Sequence, residues 1–432
     1  MLYKVRKQIT SLTNVLNRYF FGHDMGDGMR DFLSHLSWSI IGVFVGSMML
    51  FVANILVGKY LSPVEFGKYN LVTTIGGVLL ALFFLGSDNT MVKYVSGSDD
   101  IGEQNKIFSN TLIWQLVSTI IFGTGLIIFS DFLGGLFKTD GFLLVVAVIY
   151  GVILAIKLQL DNFIKARKKF KFQAKMKFLE NILILSLIFG LVVLLKKNTY
   201  VWVIGSLFGG IILSISFYVF KIFRKIRSWD WEVFNKTKKY LWVALRSSLI
   251  WMVVGNMDKF FVSGFMGLSD LGLYSAYLIA FNTFIIQLIF AIGNVLFPTV
   301  SKIGDKKRIV IKIDKMCLKI FIPFVVICSL LGLMVMKIFG SAYSVNLFFV
   351  LLTGIIAWLQ LVTILYGGVV ASSSKLFKQT SKVFYFKPIF MVFLYFLAVY
   401  FHQVNILIVF IIYMASFIYD ILNNKLAFSK IL

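Results

Sequence analysis

Apolar runs long enough to cross a lipid bilayer recur along the whole chain, and they limit its possible folds more than any other feature. A membrane-crossing helix needs roughly 17–25 predominantly apolar residues. Twelve such runs lie near residues 36–58, 69–87, 108–129, 142–160, 178–195, 200–220, 241–266, 272–297, 317–337, 345–367, 383–400 and 404–424. In hydrocarbon a segment must satisfy its own backbone hydrogen bonds, so each run reads as a helix. The expected fold class is an all-α polytopic membrane protein, although 432 residues would otherwise suggest two or three soluble domains. Apolar residues make up 59% of the chain and charged ones 14%, against about 45–50% apolar in soluble domains.

The formal charge of +24 would point to nucleic acid in a soluble protein. Here the position of the charges gives a different reading, with no nucleic-acid partner. With the N-terminus inside, basic clusters follow the fourth run (Lys165 to Lys177), the sixth (Lys221 to Lys239) and the eighth (Lys302 to Lys319). The outside loops and rims hold Lys59, Lys68, Lys138, Lys196, Lys197 and Lys337, and Lys157, Arg246 and Lys259 lie within spans. This asymmetry follows the positive-inside rule. It predicts cytoplasmic N- and C-termini in a multi-pass protein of the cell membrane, with anionic lipid headgroups as secondary partners of the basic loops. The Asn235-Lys236-Thr237 sequon then lies inside and carries no glycan. Residues 1–35 lack the apolar core of a secretory signal. Leu2, Val5, Ile9, Leu12 and Leu16 recur at helical spacing among Lys4, Arg6, Lys7 and Arg18, as in a basic amphipathic helix at the cytoplasmic surface.

The chain also repeats itself. VGKYLSPVEFGKYNLV (57–72) and VSGFMGLSDLGLYSAY (262–277) align at a shift of 205 residues, pairing Val57 with Val262, Gly67 with Gly272 and Tyr69 with Tyr274. Six spans return the chain to the side where it began, so the repeat predicts two parallel six-helix lobes related by a pseudo-two-fold axis, a transporter plan. Each turn joins the first two spans of its lobe on the outer side, with Gly67 and Gly272 suited to a helix start beside a tight turn. The expected units are a cytoplasmic segment 1–35, an N-terminal lobe 36–220, a basic inter-lobe linker 221–240, a C-terminal lobe 241–424 and a cytoplasmic tail 425–432.

LVGKYLSPVEFGKYNLVTTI followed by GSDNTMVKYVS resembles the N-terminal lobe of the polysaccharide (Wzx-type) flippases. NMDKFFVSGFMGLSDLGLYSAYLIAF followed by FPTVSK resembles the start of their second lobe. These belong to the multidrug/oligosaccharidyl-lipid/polysaccharide (MOP) exporter superfamily, and with twelve spans the resemblance covers most of the chain. It implies a MATE-like fold and transfer of a polyprenyl-(pyro)phosphate-linked oligosaccharide from the inner to the outer leaflet, with a polysaccharide polymerase or glycosyltransferases as candidate partners. The runner-up is a MATE-like multidrug/cation antiporter on the same fold.

Such a lipid carries an anionic phosphate and a sugar chain, and its path requires hydrogen-bonding groups and positive charge. Ionisable residues inside spans are the candidates because burying them is costly. Lys259 is a candidate cavity cation, against snorkelling to the outer rim. Arg246 offers a phosphate a fork of donors, against snorkelling to the inner headgroups. Asn54 pairs with Lys259 at the 205-residue shift and could face it across the pseudo-axis, and Lys59 sits at the outer rim of span 1. Asp258 is either an H⁺ or Na⁺ coupling residue or a structural partner for a basic residue on another span. Lys157 and Asp161, four apart, read as a local ion pair or as an inner gate. Asp88, at the inner end of span 2, caps a helix or sits in water. Asn256, Asn282, Gln287, Asn294, Gln115 and Gln360 line a sugar path or bond between helices. Gly42/Gly46 and Gly205/Gly209 have the small-xxx-small spacing of close helix contacts. No paired-carboxylate, metal-ligand, P-loop or nucleophile-elbow pattern is present, so neither enzyme activity nor a cofactor is expected.

Overall fold

The computed structural model describes the backbone of residues 27–136, 139–167, 169–222, 226–280, 306–371 and 383–431, with a few isolated positions besides, and side chains from Phe44 on. The amphipathic segment expected over the first residues, the later part of span 8, Asn282, Gln287, Asn294 and FPTVSK lie outside the described residues.

All regular structure among the described residues is helical. The first half holds α1 (Asp27–Tyr60), α2 (Pro63–Phe84), α3 (Ser87–Ser96), α4 (Ile101–Ile128), α5 (Ser130–Leu136), α6 (Gly141–Ala166), α7 (Phe170–Ile188, continued by a π-helical turn Phe189–Leu194) and α8 (Tyr200–Ile222). The second half holds α9 (Trp231–Val254), α10 (Met257–Phe261, continued by a π-helical turn Val262–Met266), α11 (Leu268–Ala280), α12 (Lys306–Phe339), α13 (Leu347–Ala371), α14 (Lys387–Tyr400) and α15 (Ile406–Ile431). Eight of these helices are long and apolar enough to cross a membrane, and a ninth span arises if the bent pair α9 and α10 counts as one; the shorter apolar helices Phe44–Tyr60 and Lys387–Tyr400 add to them. The protein is a multi-pass, all-α membrane protein.

Local sequence sets the boundaries. α2 starts where the Ser62 hydroxyl accepts the Glu65 amide and Pro63 occupies the first turn. It stops at Leu85 and Gly86, both left-handed, with φ of 44° and 80°. A Cβ at Gly86 would lie 2.2 Å from the Leu241 carbonyl of α9, so glycine serves both the turn and the close approach. Asp100 and Asp140 cap α4 and α6 by accepting backbone N–H groups. α9 and α10 meet at a 50° bend around Gly255 and Asn256.

In the first half α1 packs on α7, α2 on α6 and α4, and α8 on α7. In the second, α12 packs on α13 and α13 on α15. Several contacts cross between the halves: α12 and α11 touch α1, and α10 touches α2. α11 lies against α2, and α9 leans on α2, α3 and α4. Lipid tails are as apolar as the helices, so close packing and polar contacts hold such a bundle together more than the hydrophobic effect does. Gly46 provides one such approach, with Asn181 and Lys177 of α7 against it. The Gly205/Gly209 expectation is corrected: Gly205 faces open space, and the contact with α7 falls at Gly209 and Gly210, against Leu187, Ile184 and the Glu180 carbonyl. The expected linker over 221–240 is helical from Trp231, because Asp230 caps α9 through the Glu232 and Val233 amides.

Candidate functional site between the two halves

The repeated turns meet each other. A Cβ on Gly67 would stand 1.9 Å from the Leu268 carbonyl oxygen, and a Cβ on Gly272 would stand 2.0 Å from the Pro63 carbonyl oxygen. Pro63 and Leu268 are themselves partners at the 205-residue shift, so the crossing of α2 and α11 is reciprocal. Both glycines lie inside helices with ordinary helical backbone. The expectation that they serve a tight turn is corrected: they are glycines because two helix backbones touch there. Around the crossing, Phe66 packs edge-on to Phe339 and Tyr343, with ring centroids 5.7 and 6.1 Å apart, and the Tyr343 hydroxyl donates to the Leu61 carbonyl at 3.3 Å.

At the opposite, basic end a second set of contacts joins the halves. Lys236 of α9 pairs with Glu103 of α4 at 2.6 Å, Lys106 pairs with Asp230 at 3.0 Å, and the Lys93 ammonium sits 3.7 Å from the centre of the Tyr240 ring. Asn110 receives the Asp230 amide and donates to its carbonyl. The Lys106 ammonium and the α9 backbone amides hold the Asp230 carboxyl below the usual carboxylate range. Among the described residues, the interface is therefore packed near both ends.

Between these ends lie the candidate residues of span 1 and span 7. The Tyr69 hydroxyl donates to Asn54 Oδ1 at 2.9 Å, and Asn54 Nδ2 donates to the Leu50 carbonyl. In the second half the Tyr274 hydroxyl donates to Asp258 Oδ2 at 2.6 Å. Tyr69 and Tyr274 are repeat partners, yet their acceptors differ in spacing. The π-helical turn Val262–Met266 accounts for this. Its closing bond runs from the Gly267 amide to the Val262 carbonyl, where the first half has Leu61 to Val57. One extra residue in that turn rotates everything before it by one position. Asp258, not Lys259, thus takes the structural place of Asn54, which corrects the pairing read from the sequence. Asp258 is 3% exposed, and its Oδ1 has no partner. Its structural partner is a tyrosine rather than a basic residue on another span.

Lys259 is half-buried and makes no hydrogen bond or ion pair among the described residues, and none links it to Asn54. Arg246 on α9 and Lys59 at the end of α1 are exposed; the Lys59 ammonium lies 5.8 Å from the Tyr60 ring. Lys157 and Asp161 do form an ion pair, at 2.7 Å, buried inside the first half. Lys157 also meets Glu180 of α7 at 3.2 Å, and the Tyr218 hydroxyl of α8 donates to Asp161. The cluster ties α6, α7 and α8 together, and every partner it has among the described residues belongs to the first half. Sequence reasoning missed Glu180 and Tyr218, and also the buried Lys387–Asp420 pair at 2.6 Å between α14 and α15. The available signal was the presence of charged residues inside apolar runs. Among the described residues no group of three or more His, Cys, Asp or Glu could hold a metal ion, and Cys317 and Cys328 are buried free thiols.

In its overall fold this all-α membrane bundle matches solved transporters of the MOP superfamily. Its solved relatives in shape include an inward-facing multidrug resistance MATE family transporter of that superfamily, 12% identical, covering 89% of this chain and 93% of the other with a TM-score of 0.65. The lipid II flippase MurJ in an inward closed conformation is 16% identical, covering 90% and 87% with a TM-score of 0.66. A MOP transporter from Pyrococcus furiosus with a binding pocket of reversed polarity is 12% identical, covering 92% and 96% with a TM-score of 0.62. The profile of the family described as "Polysaccharide biosynthesis protein" matches residues 32–304, and the chain belongs to that family. Comparison with curated protein sequences gives no match.

Proposed function

We propose that the protein is a flippase that carries a polyprenyl-(pyro)phosphate-linked oligosaccharide from the inner to the outer leaflet of the cell membrane for surface polysaccharide biosynthesis. The family match over residues 32–304 carries this reading. Transport proceeds by alternating access between two lobes, residues 36–220 and 241–424. The contacts near the two ends of the interface support it. The Gly67–Gly272 crossing with its aromatic cap closes one end, and the Lys236–Glu103 and Lys106–Asp230 bridges close the other, so each set opens in turn.

Lys259 is the candidate substrate cation, because its ammonium is half-buried, feels the neighbouring Asp258 carboxylate without forming a salt bridge among the described residues, and is available to a phosphate. Arg246, Lys59 and Asn54 are accessory candidates. Lys157 and Asp161 act as a strut rather than an inner gate, since a gate between lobes needs a partner on the other lobe. With the cell interior negative, each negative charge moved outward gains about 2.3 kcal/mol per 100 mV, so an anionic lipid head moves outward without a coupling ion. The second reading, a cation antiporter, is favoured by one observation: one oxygen of the buried Asp258 carboxylate, Oδ1, has no hydrogen-bond partner among the described residues.

The test is a deletion strain in which lipid-linked oligosaccharide and surface glycan are quantified together. Accumulated intermediate with lost glycan is expected, and Lys259→Ala, inserted at normal abundance, should restore export only weakly. Normal glycan in the deletion would overturn the flippase reading, and dye uptake would then test the antiporter.

A further inference from the structure

We propose that the break between α2 and α3, together with Gln115 of α4 and Gln159 of α6, forms a binding site for a monovalent cation of the Na⁺ class. Gln115 and Gln159 are fully buried, and neither the oxygen nor the nitrogen of either amide has a hydrogen-bond partner. Buried polar atoms are nearly always satisfied, so four orphaned amide atoms require an account.

The helix register brings these residues together. α4 and α6 run antiparallel: Phe108 stacks on Phe163 with ring centroids 4.1 Å apart, and near the other end Gly123 lies beside Val148 and Val152. At 100° per residue, Gln115 falls on the stripe from Phe108 to Gly123, and Gln159 on the stripe from Phe163 to Val148. The two amides therefore lie at one level on facing surfaces. The end of α2 reaches the same level, because the Ser118 hydroxyl of α4, one turn from Gln115, donates to the Phe83 carbonyl. Ser87, where α3 begins, is fully buried with an unpartnered hydroxyl. Its helix continues through Met91 and Val95, which share a buried cluster with Phe108 and Phe163. Asp88 follows, with one buried carboxylate oxygen, Oδ1, also unpartnered. Thr119, one turn beyond Gln115, adds a further unpartnered hydroxyl.

The donor chemistry selects the ion. Two amide oxygens and the Ser87 and Thr119 hydroxyls are hard, neutral ligands, and the half-buried Asp88 carboxylate beside Ser87 is the nearest negative charge along the chain. A divalent ion such as Ca²⁺ ordinarily recruits several carboxylates. The C-terminal end of α2 points its partial negative charge toward the break and the N-terminal end of α3 its positive one, so the side-chain oxygens rather than the helix dipoles carry the selection. The site lies in the first half and is distinct from Asp258.

The test uses the purified full-length protein in detergent and follows Tm in NaCl, KCl and choline chloride at constant ionic strength. A ligand that binds only the folded state stabilises it saturably. The wild type is expected to gain a saturable rise in Tm with Na⁺ over choline. The double variant Gln115→Leu/Gln159→Leu should lose that rise, and Asp258→Asn should keep it. Equal Tm in all three salts would overturn the proposal and leave buried water as the occupant. A Na⁺ response that survives in the double variant, or that vanishes only in Asp258→Asn, would overturn the location. If the double variant does not fold, Ser87→Ala provides the second arm, with an expected several-fold rise in half-saturating Na⁺; an unchanged value would count against the site. None of these readouts depends on transport, so they stand apart from the flippase test.

Discussion

The first and second halves solve the same local problem with different chemistry at one position. In both, a tyrosine on the helix after the repeated turn reaches back to the preceding span. Tyr69 finds the neutral amide of Asn54, and Tyr274 finds the carboxylate of Asp258. A one-residue π insertion in the second half turns the span so that Asp258, rather than Lys259, meets the tyrosine. The fold therefore keeps the hydrogen bond and changes the charge, and it leaves Lys259 half-buried and outside any salt bridge among the described residues.

The symmetric part of this comparison is the most sensitive to mutation. Gly67→Val and Gly272→Val each place a side chain against a partner carbonyl within 2.0 Å. We expect similar losses for the two, at or above the upper end of the about 1–3 kcal/mol typical of overpacking, read as reduced membrane abundance and lowered Tm. If only one variant were harmed, the crossing would not be reciprocal.

Next in size is removal of the π insertion. Deleting Gly264, whose Cα faces open space, should return the turn to α-helical register and carry Lys259 to the place of Asp258. Transport should then fall as far as it does in Asp258→Ala, while deletion at Lys59, the repeat partner, should not reproduce that exchange. Wild-type export by the Gly264 deletion would refute the register argument.

Asp258→Ala leaves a buried tyrosine hydroxyl without its acceptor, at an expected cost of about 1–3 kcal/mol. Asp258→Asn makes the second half resemble the first, so its stability should stay within about 1 kcal/mol of wild type and some flipping should persist. Complete loss of export in stable Asp258→Asn would support ion coupling at Asp258 instead.

The smallest expected effect is at the basic end. The folded-state pKa of Asp230 is depressed, chiefly by Lys106. Its contribution is therefore present above the unfolded value of about 3.9 and is lost as pH falls through the depressed value. Protease accessibility of the 226–230 segment should rise below about pH 4, and the Lys106→Ala variant should show a smaller pH response.

The sequence by itself determined the class, the approximate place of the spans that fall on described residues, the repeat and the family resemblance, because span length and a 205-residue self-match are properties of a linear string. It also marked Lys157 and Asp161 as a pair, since residues four apart share a helix face. Tertiary structure decided what those residues meet. The role of Gly67 and Gly272 depends on another helix's backbone, and Glu180 and Tyr218 join Lys157 and Asp161 only once α6, α7 and α8 pack. The exchange of Lys259 for Asp258 turns on one extra residue in a helical turn, which an ungapped alignment passes over. Periodicity fixes which side of a helix a residue occupies; only packing fixes what stands opposite it.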